Sequence, residues 1–188
     1  MMRQDPDVIL VGEIRDHDTA EMAFRAAMTG HQVYSTLHTN SAIGAIPRLL
    51  DLGVLPDIMA GNIIGVIAQR LLRRLCSRCK KPISADATTL QLLRHQKEAS
   101  VPMVYQAVGC THCNSTGYKG RMAIMEILKM DADLDELVAR RATGREMRKL
   151  AEQKGFHSLA EDGVRRVLSG ETSLDEISRV VDLTDRIE

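Results

Sequence analysis

The chain has 188 residues and no net formal charge, because 25 basic residues balance 25 acidic ones. This length suits one domain or one domain with a small appendage, and a hydrophobic fraction of 44% is enough for a core. The neutral charge, an aromatic content of 3% and the lack of Trp disfavour a nucleic-acid partner. No secretory leader or bilayer-length apolar segment is evident, so we expect a cytoplasmic protein.

The first predicted element is a strand from Val8 to Val11, four consecutive branched apolar residues. Such a continuous run is typical of a strand covered on both faces of a sheet. The strand begins close to the start of the chain, as it would in a segment cut from a longer protein. Gly12 and then Glu13 follow it, so a carboxylate is expected at the strand's end.

A helix and a second strand are predicted next. The helix runs from Thr19 to Met28, with Asp16 or Asp18 as its cap and a stop at Gly30. The second strand covers Gln32 to Leu37. A strand, a helix and a strand within about thirty residues indicate a parallel βαβ unit and an α/β fold.

The two strands of this unit end in groups that can bind ligands. Glu13 lies just past the first strand and His38 just past the second. In open α/β sheets, ligands bind at the edge formed by the carboxyl ends of the strands. The sequence therefore predicts a site at this edge.

Two further helices are predicted before the first cysteine. A short one carries Pro47 in its first turn and ends at Gly53. A longer one runs from Asp57 to about Leu75, because a basic end suits a helix C-terminus; its basic residues are Arg70, Arg73 and Arg74.

Two further regions follow, one that contains the cysteines and one with a helical pattern. Within 76–121, the stretch "SADATTLQLLRHQKEAS" predicts a short helix, and "MVYQAV" and "RMAIMEIL" predict strands that flank the second cysteine pair. From Asp131 onward the pattern is helical, with glycines between four segments: Asp133–Arg141, Arg145–Lys154, Leu159–Leu168 and Leu174–Val181.

The four cysteines form two C-x-x-C pairs, Cys76 with Cys79 and Cys110 with Cys113. Two such turns aim four thiolates at one point, which makes a tetrahedral sulfur site that suits zinc. Disulfides or free thiols are the alternatives, and a cytoplasmic location disfavours disulfides. A closed four-thiolate site has no open position, so we expect a structural zinc; His112 is expected to be a surface residue.

Several blocks of the chain together resemble a known family, the secretion ATPases of the GspE/PilB type. "RQDPDVILVGEIRD" resembles their Walker B segment, and "TGHQVYSTLHTN" resembles their histidine box. "GVIAQRLLRRLCSRCKKP" and "GCTHCNSTGYKGRMAIMEIL" resemble their tetracysteine module, and "HSLAEDGVRRVLSGETSLDEISRVV" resembles their helical C-terminus. The blocks occur in the family's order and cover nearly the whole chain.

The resemblance implies a RecA-like P-loop NTPase core that binds Mg2+ and ATP and assembles as a homo-hexamer. It implies ATP hydrolysis that powers type II secretion or type IV pilus assembly at the cytoplasmic face of the inner membrane. An inner-membrane platform protein is the implied partner, through which the ATPase associates peripherally with the membrane. The tetracysteine module favours the assembly and secretion ATPases of this family over the related retraction ATPases. The sequence does not distinguish between a secretion system, a pilus and a DNA-uptake apparatus.

The resemblance also implies roles for particular residues. Glu13 matches the Walker B acid, which orients water and helps to hold the hydration shell of Mg2+. His38, and less closely His31, match the histidine box, where an imidazole hydrogen-bonds the γ-phosphate; the alternative for a lone histidine is a structural role. Arg15 completes the "GEIRD" motif, and its alternative role is a local ion pair that fixes the turn.

The chain departs from the family pattern in three places. Ser41 stands where the family has an acidic residue, and Pro47 stands where threonine is more common. No G-x-x-x-x-G-K-[ST] motif occurs in the 188 residues, although such a glycine-rich loop and its lysine must cradle the phosphates. We therefore expect this chain to contain half of a catalytic site and to hydrolyse essentially no ATP alone.

We predict three domains: a partial ATPase core in 1–75, a zinc module in 76–121, and a strand with a helical subdomain in 122–188. An alternative hypothesis is a zinc-stabilised docking module that binds the platform protein without catalysis. DNA handling, suggested by basic residues near the first cysteine pair, is a weaker alternative because the net charge is zero.

Overall fold

The computed structural model describes residues 6–94 and 102–184, and it confirms a mixed α/β fold. The chain divides into two compact units, Met1–Ala68 with Ile127–Phe156 and Gln69–Glu126 with His157–Glu188. These units are defined by how compactly the chain packs, whereas the three predicted domains were defined by function. The three domains therefore remain a prediction. The described elements are β1 (Val8–Val11), α1 (His17–Met28), β2 (Gln32–Ser35), α2 (Ala45–Asp51), α3 (Pro56–Met59), β3 (Gly65–Leu75), β4 (Lys81–Ser84), α4 (Ala87–Leu92), β5 (Met103–Gln106), β6 (Tyr118–Lys129), α5 (Ala132–Ala139), α6 (Gly144–Gln153), α7 (Leu159–Leu168) and α8 (Leu174–Val180).

The predicted βαβ unit is present in the first compact unit. β1 and β2 pair in parallel, with Val8 opposite Gln32 and Val11 opposite Ser35. Of the two candidate caps, Asp16 is the one used: its Oδ1 accepts a 2.8 Å hydrogen bond from the backbone N–H of Thr19. α1 therefore begins two residues earlier than predicted.

The prediction that β1 is covered on both faces is wrong for the described structure. Val8 is 54% exposed and Leu10 is 78% exposed. α1 packs beside β2 in this unit, and among the described residues β1 and β2 form a sheet of two strands. An apolar run predicts a strand suited to burial, but whether other elements cover that strand depends on the rest of the fold.

The long helix predicted from Asp57 to Leu75 is also wrong. α3 ends at Met59, Gly61 follows with a φ of +77°, and β3 then occupies Gly65–Leu75. The buried residues of β3 are Ala68, Leu72 and Leu75. Their spacings of four and three residues also mark one face of a helix, so local periodicity favoured the wrong element.

Long-range pairing decides the conformation of this segment, because β3 bonds to β6. Met130 donates its N–H to the carbonyl of Ile64, and Cys76 donates to the carbonyl of Gly117. These two bonds, at opposite ends of the pair, make it antiparallel. β6 and β5 confirm the strands predicted on either side of the second cysteine pair.

The second unit contains one strand that the sequence did not predict. β4 pairs antiparallel with β5, with Lys81 opposite Gln106 and Ser84 opposite Met103. α4 confirms the short helix predicted between the cysteine pairs, while the part of that stretch in 95–100 lies outside the described residues. A four-residue strand that includes Pro82 carries little local signal.

The four C-terminal helices are confirmed with small shifts at their ends. Thr143 and Ser158 each form a capping box with a glutamate three residues later, Glu146 and Glu161. These reciprocal bonds satisfy the free N–H groups at a helix start, and they fix where α6 and α7 begin. None of the helices in the described segments is long and apolar enough to cross a bilayer.

A buried carboxylate organises one part of the second unit. Glu176 in α8 is fully buried, and it accepts the backbone N–H of Arg73 at 2.9 Å and both Nε and Nη2 of that guanidinium at 2.9 and 2.6 Å. Arg179 adds two further bonds at 3.1 and 2.8 Å. The Arg73 guanidinium also lies 4.2 Å from the centre of the Tyr118 ring.

These donors outweigh the cost of burying the charge. Burial alone raises the pKa of the Glu176 carboxyl, but the hydrogen bonds from Arg179 and Arg73 lower that pKa to about 2. Since the ordinary value is 4.5, folding favours the ionised form. The resulting stability is present above about pH 4.5 and is lost as the pH falls toward about 2.

We expect Glu176→Gln to lower the free energy of unfolding by about 2 kcal/mol at pH 7, because it removes charged hydrogen bonds from a buried site. The deficit relative to wild type should shrink below pH 4.5, because the carboxylate of the unfolded wild-type chain takes up a proton there before the folded one does. Urea denaturation followed by circular dichroism at pH 7 and pH 3 measures both effects. Asp175→Asn, an exposed change on the same helix, is the control; an equal loss in the two variants would contradict the assignment.

Candidate functional site

Glu13 and His38 meet at the carboxyl ends of β1 and β2. Because the two strands are parallel, the residues that follow them emerge at the same edge. Nε2 of His38 lies 2.6 Å from Oε1 of Glu13. The Glu13 side chain is 19% exposed and that of His38 is 86% exposed, so the pair lies on an open edge.

Arg15 occupies the other carboxylate oxygen of Glu13. Its Nε and Nη2 both lie 2.5 Å from Oε2. The hydrogen bond from Arg15 is the largest cause of a lowered Glu13 pKa; partial desolvation opposes it, and the charges of Arg15 and His38 add to it. Glu13 is therefore an ionised carboxylate at neutral pH, with Arg15 bonded to Oε2 and His38 Nε2 lying 2.6 Å from Oε1.

Two hydrogen bonds made by Thr36, the residue that follows β2, support this arrangement. Beyond the last paired residues of the sheet, Thr36 Oγ1 donates to the carbonyl of Gly12 at 2.8 Å. The N–H of Ile14 donates to the carbonyl of Thr36 at 3.0 Å. Sequence reasoning missed Thr36, because nothing local to either strand indicates a bond that spans 24 residues of chain.

The structure does not bring His31 to this site. His31 precedes β2, whereas His38 follows it, so the two histidines lie at opposite ends of the strand. Nδ1 of His31 lies 3.0 Å from Thr29 Oγ1 and 3.1 Å from the carbonyl oxygen of Ala26, at the end of α1. His31 also lines an open, mainly apolar groove of about 620 Å³ that includes neither Glu13 nor His38.

The four cysteines form one compact cluster in the second unit. Their Sγ atoms all lie within 4.8 Å of one another, and the close pairs are 3.8 to 3.9 Å apart: Cys76 with Cys110, Cys79 with Cys113, and Cys110 with Cys113. Tetrahedral zinc with Zn–S bonds of about 2.3 Å places its sulfurs about 3.8 Å apart. The four cysteines are free rather than disulfide-bonded, and their spacing fits a zinc ion.

Backbone N–H groups point at two of the sulfurs. Cys110 and Gly117 each donate to Cys113 Sγ at 3.2 Å, and Gly109 donates to Cys79 Sγ at 3.3 Å. Burial raises the pKa of the Cys113 thiol, but the N–H groups of Cys110 and Gly117, together with hydrogen bonds from the Cys79 and Cys110 side chains, lower that pKa to about 6. Cys113 is therefore prepared to act as a thiolate ligand.

Two glycines shape the second cysteine turn. Gly109 has a φ of +111°, and a Cβ there would lie 2.6 Å from the carbonyl oxygen of Ser115. Gly117 has a φ of +75°, and a Cβ there would lie 2.6 Å from Cβ of Ala107. The turn therefore requires glycine at both positions. His112 contributes no atom to the sulfur cluster and instead contacts Lys119.

Comparison with known proteins identifies the class. The profile of the family described as "Type II/IV secretion system protein" matches residues 1–179. The chain is 49% identical over 185 residues to the type IV pilus assembly ATPase TfpB of Acinetobacter baylyi, covering 98% of this chain and 32% of that protein. It is 46% identical over 180 residues to the type II secretion system protein E of Pseudomonas aeruginosa, covering 96% and 36%.

The chain belongs to the type II/IV secretion system protein family, as its sequence motifs predict. It spans about a third of the length of the curated relatives it matches. Solved structures of the ATPase DotB show the same fold: that from Legionella pneumophila has a TM-score of 0.63 at 22% identity, covering 95% of this chain and 39% of that one. DotB from Yersinia pseudotuberculosis has a TM-score of 0.66 at 20% identity, covering 97% and 39%.

We expect Arg15→Ala to raise the pKa of the Glu13 carboxyl toward its ordinary value, because the bond from Arg15 is the largest cause of the lowered pKa. A carboxyl ¹³C NMR titration of the chain measures it. Arg25→Ala removes a comparable exposed pair, with Glu21 on α1, and should leave Glu13 unaffected. An unchanged Glu13 titration in Arg15→Ala would contradict the assignment.

Proposed function

We propose that this chain supplies the Walker B carboxylate and the histidine box of a RecA-like ATPase that powers type II secretion or type IV pilus assembly. The contact between Glu13 and His38 carries the proposal, since it joins the two motifs at a sheet edge suited to ligands. Membership of a family whose relatives are named as pilus assembly and secretion proteins supports it.

The side chains suit hydrolysis of a phosphoanhydride. An ionised Glu13 accepts a hydrogen bond from the attacking water and orients it, while His38 donates to a phosphate oxygen from the neighbouring strand end. Arg15 fixes one oxygen of Glu13 and so limits the carboxylate's rotation. Bound Mg2+ would neutralise phosphate charge, and Glu13 is the described residue placed to hold its hydration shell.

We also propose that the 188-residue chain is half of the catalytic site. Its sequence contains no G-x-x-x-x-G-K-[ST] motif, and that loop supplies the N–H groups and the lysine that bind the phosphates. Only the family resemblance gives His31 a role in hydrolysis. In the structure His31 lies at the opposite end of β2 from His38.

A chimera tests the ATPase proposal. Residues 1–188 replace the matching segment of the type II secretion system protein E of Pseudomonas aeruginosa. We expect the chimera to hydrolyse ATP with Mg2+ and to elute as a hexamer, whereas the isolated chain hydrolyses essentially none. Glu13→Gln in the chimera should lower kcat at least about 100-fold, with ATP still bound, because it removes the water-orienting base.

Glu21→Gln is the matched control, since Glu21 is a carboxylate on α1 that pairs with Arg25. It should leave kcat within about twofold of the unsubstituted chimera, as surface substitutions away from special features usually do. Equal turnover by the Glu13→Gln and unsubstituted chimeras would refute the role of Glu13. Robust turnover by the isolated chain would refute the half-site proposal.

The second part of the proposal is a structural zinc held by Cys76, Cys79, Cys110 and Cys113. The sulfur spacing and the N–H groups aimed at Cys113 and Cys79 support it. A cation would balance the charge of four thiolates in a partly buried site, which otherwise opposes their ionisation. All four ligand positions are then taken by sulfur, so this metal has no catalytic role.

We expect the purified chain to hold one zinc per molecule and Cys113→Ser to hold less than half as much. Removal of zinc by a chelator should unfold 76–121 first, because metal binding contributes folding free energy there. Elemental analysis and hydrogen exchange measure the two effects. His112→Ala is the control, since His112 lies between the same cysteines without joining the cluster; full thermal stability of the metal-free chain would refute the structural role.

We further propose that the whole protein is a homo-hexamer at the cytoplasmic face of the inner membrane, attached through a membrane platform protein. The second candidate function, docking to that platform protein without catalysis, is favoured by a cysteine cluster that has no open ligand position. The Glu13→Gln and Cys113→Ser variants distinguish docking from the ATPase function. Capture of the platform protein that survives Glu13→Gln and fails with Cys113→Ser supports docking through the zinc module, and the reverse result opposes it.

A further inference from the structure

Thr36 makes two hydrogen bonds that converge on Glu13 from either side. Its hydroxyl donates to the carbonyl of Gly12, which belongs to the peptide group that precedes the Glu13 Cα. Its own carbonyl accepts the N–H of Ile14, which belongs to the peptide group that follows. One residue, just past the end of β2, therefore holds both peptide planes that set the backbone orientation of Glu13.

These bonds lie beyond the regular ladder. The parallel pairing of β1 and β2 ends at Val11 opposite Ser35, so the sheet itself does not fix the residues that follow. Thr36 continues the connection by one residue, and His38 follows it after Leu37. The distance between Glu13 and His38 thus depends on the hydrogen bonds of Thr36 as well as on the pairing of the two strands.

The two sides of Glu13 differ in what else holds them. The side chain of Ile14 is buried, so packing anchors the chain after Glu13. At Gly12 there is no side chain, and a Cβ added there would meet nothing within 4 Å. Packing does not hold the chain on the Gly12 side, where the Thr36 hydroxyl makes the bond across to β2.

We propose that Thr36 is a positioning residue that holds Glu13 against His38 by hydrogen-bonding both peptide groups that flank Glu13. Thr36 acts through Glu13 and needs no contact with the substrate. The inference rests on the proposed ATPase role of Glu13 and His38. Loss of the hydroxyl frees the peptide before Glu13 and lets the carboxylate move away from the imidazole, while the fold stays intact.

The first test measures position and does not depend on catalysis. In the 188-residue chain, an NMR nuclear Overhauser effect between the Glu13 γ-protons and the His38 ring reports the 2.6 Å contact. We expect it in wild type and in Thr36→Ser, which keeps the hydroxyl, and we expect its loss in Thr36→Val and Thr36→Ala. Thr29→Val is the matched control, because its hydroxyl also bonds a backbone carbonyl, that of Ala26, at the other end of β2.

The second test measures turnover in the secretion-ATPase chimera. Thr36→Val should lower kcat about tenfold and leave KM for ATP within about twofold, since the loss is one of orientation rather than binding. Thr36→Ser should restore turnover, and Thr29→Val should leave it unchanged.

The outcomes separate this inference from the proposed function. Persistence of the Glu13–His38 signal in both removal variants would overturn the positioning role, as would its equal loss in Thr29→Val. Unfolding of both removal variants would overturn it too, because the hydroxyl would then act on folding instead of position. A chimera without ATPase activity would refute the proposed function, while the NMR comparison would still decide the role of Thr36.

Discussion

The parallel register of β1 and β2 is the constraint on which the candidate site depends. It places the residue after Val11 next to the residue after Ser35, so that Glu13 and His38 emerge at one edge although 24 residues separate them. An antiparallel pair would have placed them at opposite ends. Thr36 then extends the register past the last ladder bond, which converts the proximity of two strand ends into a 2.6 Å side-chain contact.

The second unit depends on a different constraint, the need to satisfy buried or clustered charge. Glu176 is buried with five donors from Arg73 and Arg179. The cysteine sulfurs gather within 4.8 Å and receive backbone N–H groups. At Glu176 a charge removed from water is tolerable because oriented donors replace the solvent, and the cation of the proposed zinc site would do the same for thiolates. Both arrangements join residues that are far apart in sequence.

The two units therefore carry separate parts of the proposed machine. The first holds the paired carboxylate and imidazole of the proposed hydrolytic edge, with Arg15 on the remaining carboxylate oxygen. The second holds the sulfur cluster, whose geometry suits a closed metal site. The TfpB and type II secretion E relatives are about three times as long as this chain, which agrees with the proposal that further residues complete the phosphate site.

The sequence by itself determined the elements with strong local signals and the chemistry of the motifs. A capping aspartate located α1, glycines between the helical segments located α6 and α7, the strand ends located Glu13 and His38, and the cysteine spacing indicated the sulfur cluster. Local signals failed where two structures share one pattern: Ala68, Leu72 and Leu75 have helical spacing, yet they lie on a strand.

Only the tertiary structure decided the pairings. It made β3 a strand through its bonds to β6, left Val8 and Leu10 exposed, moved His31 away from the site, and joined Thr36 to Gly12. The physical reason is the same in each case. Hydrogen bonds and burial between distant segments depend on which surfaces meet, and no window of neighbouring residues contains that information.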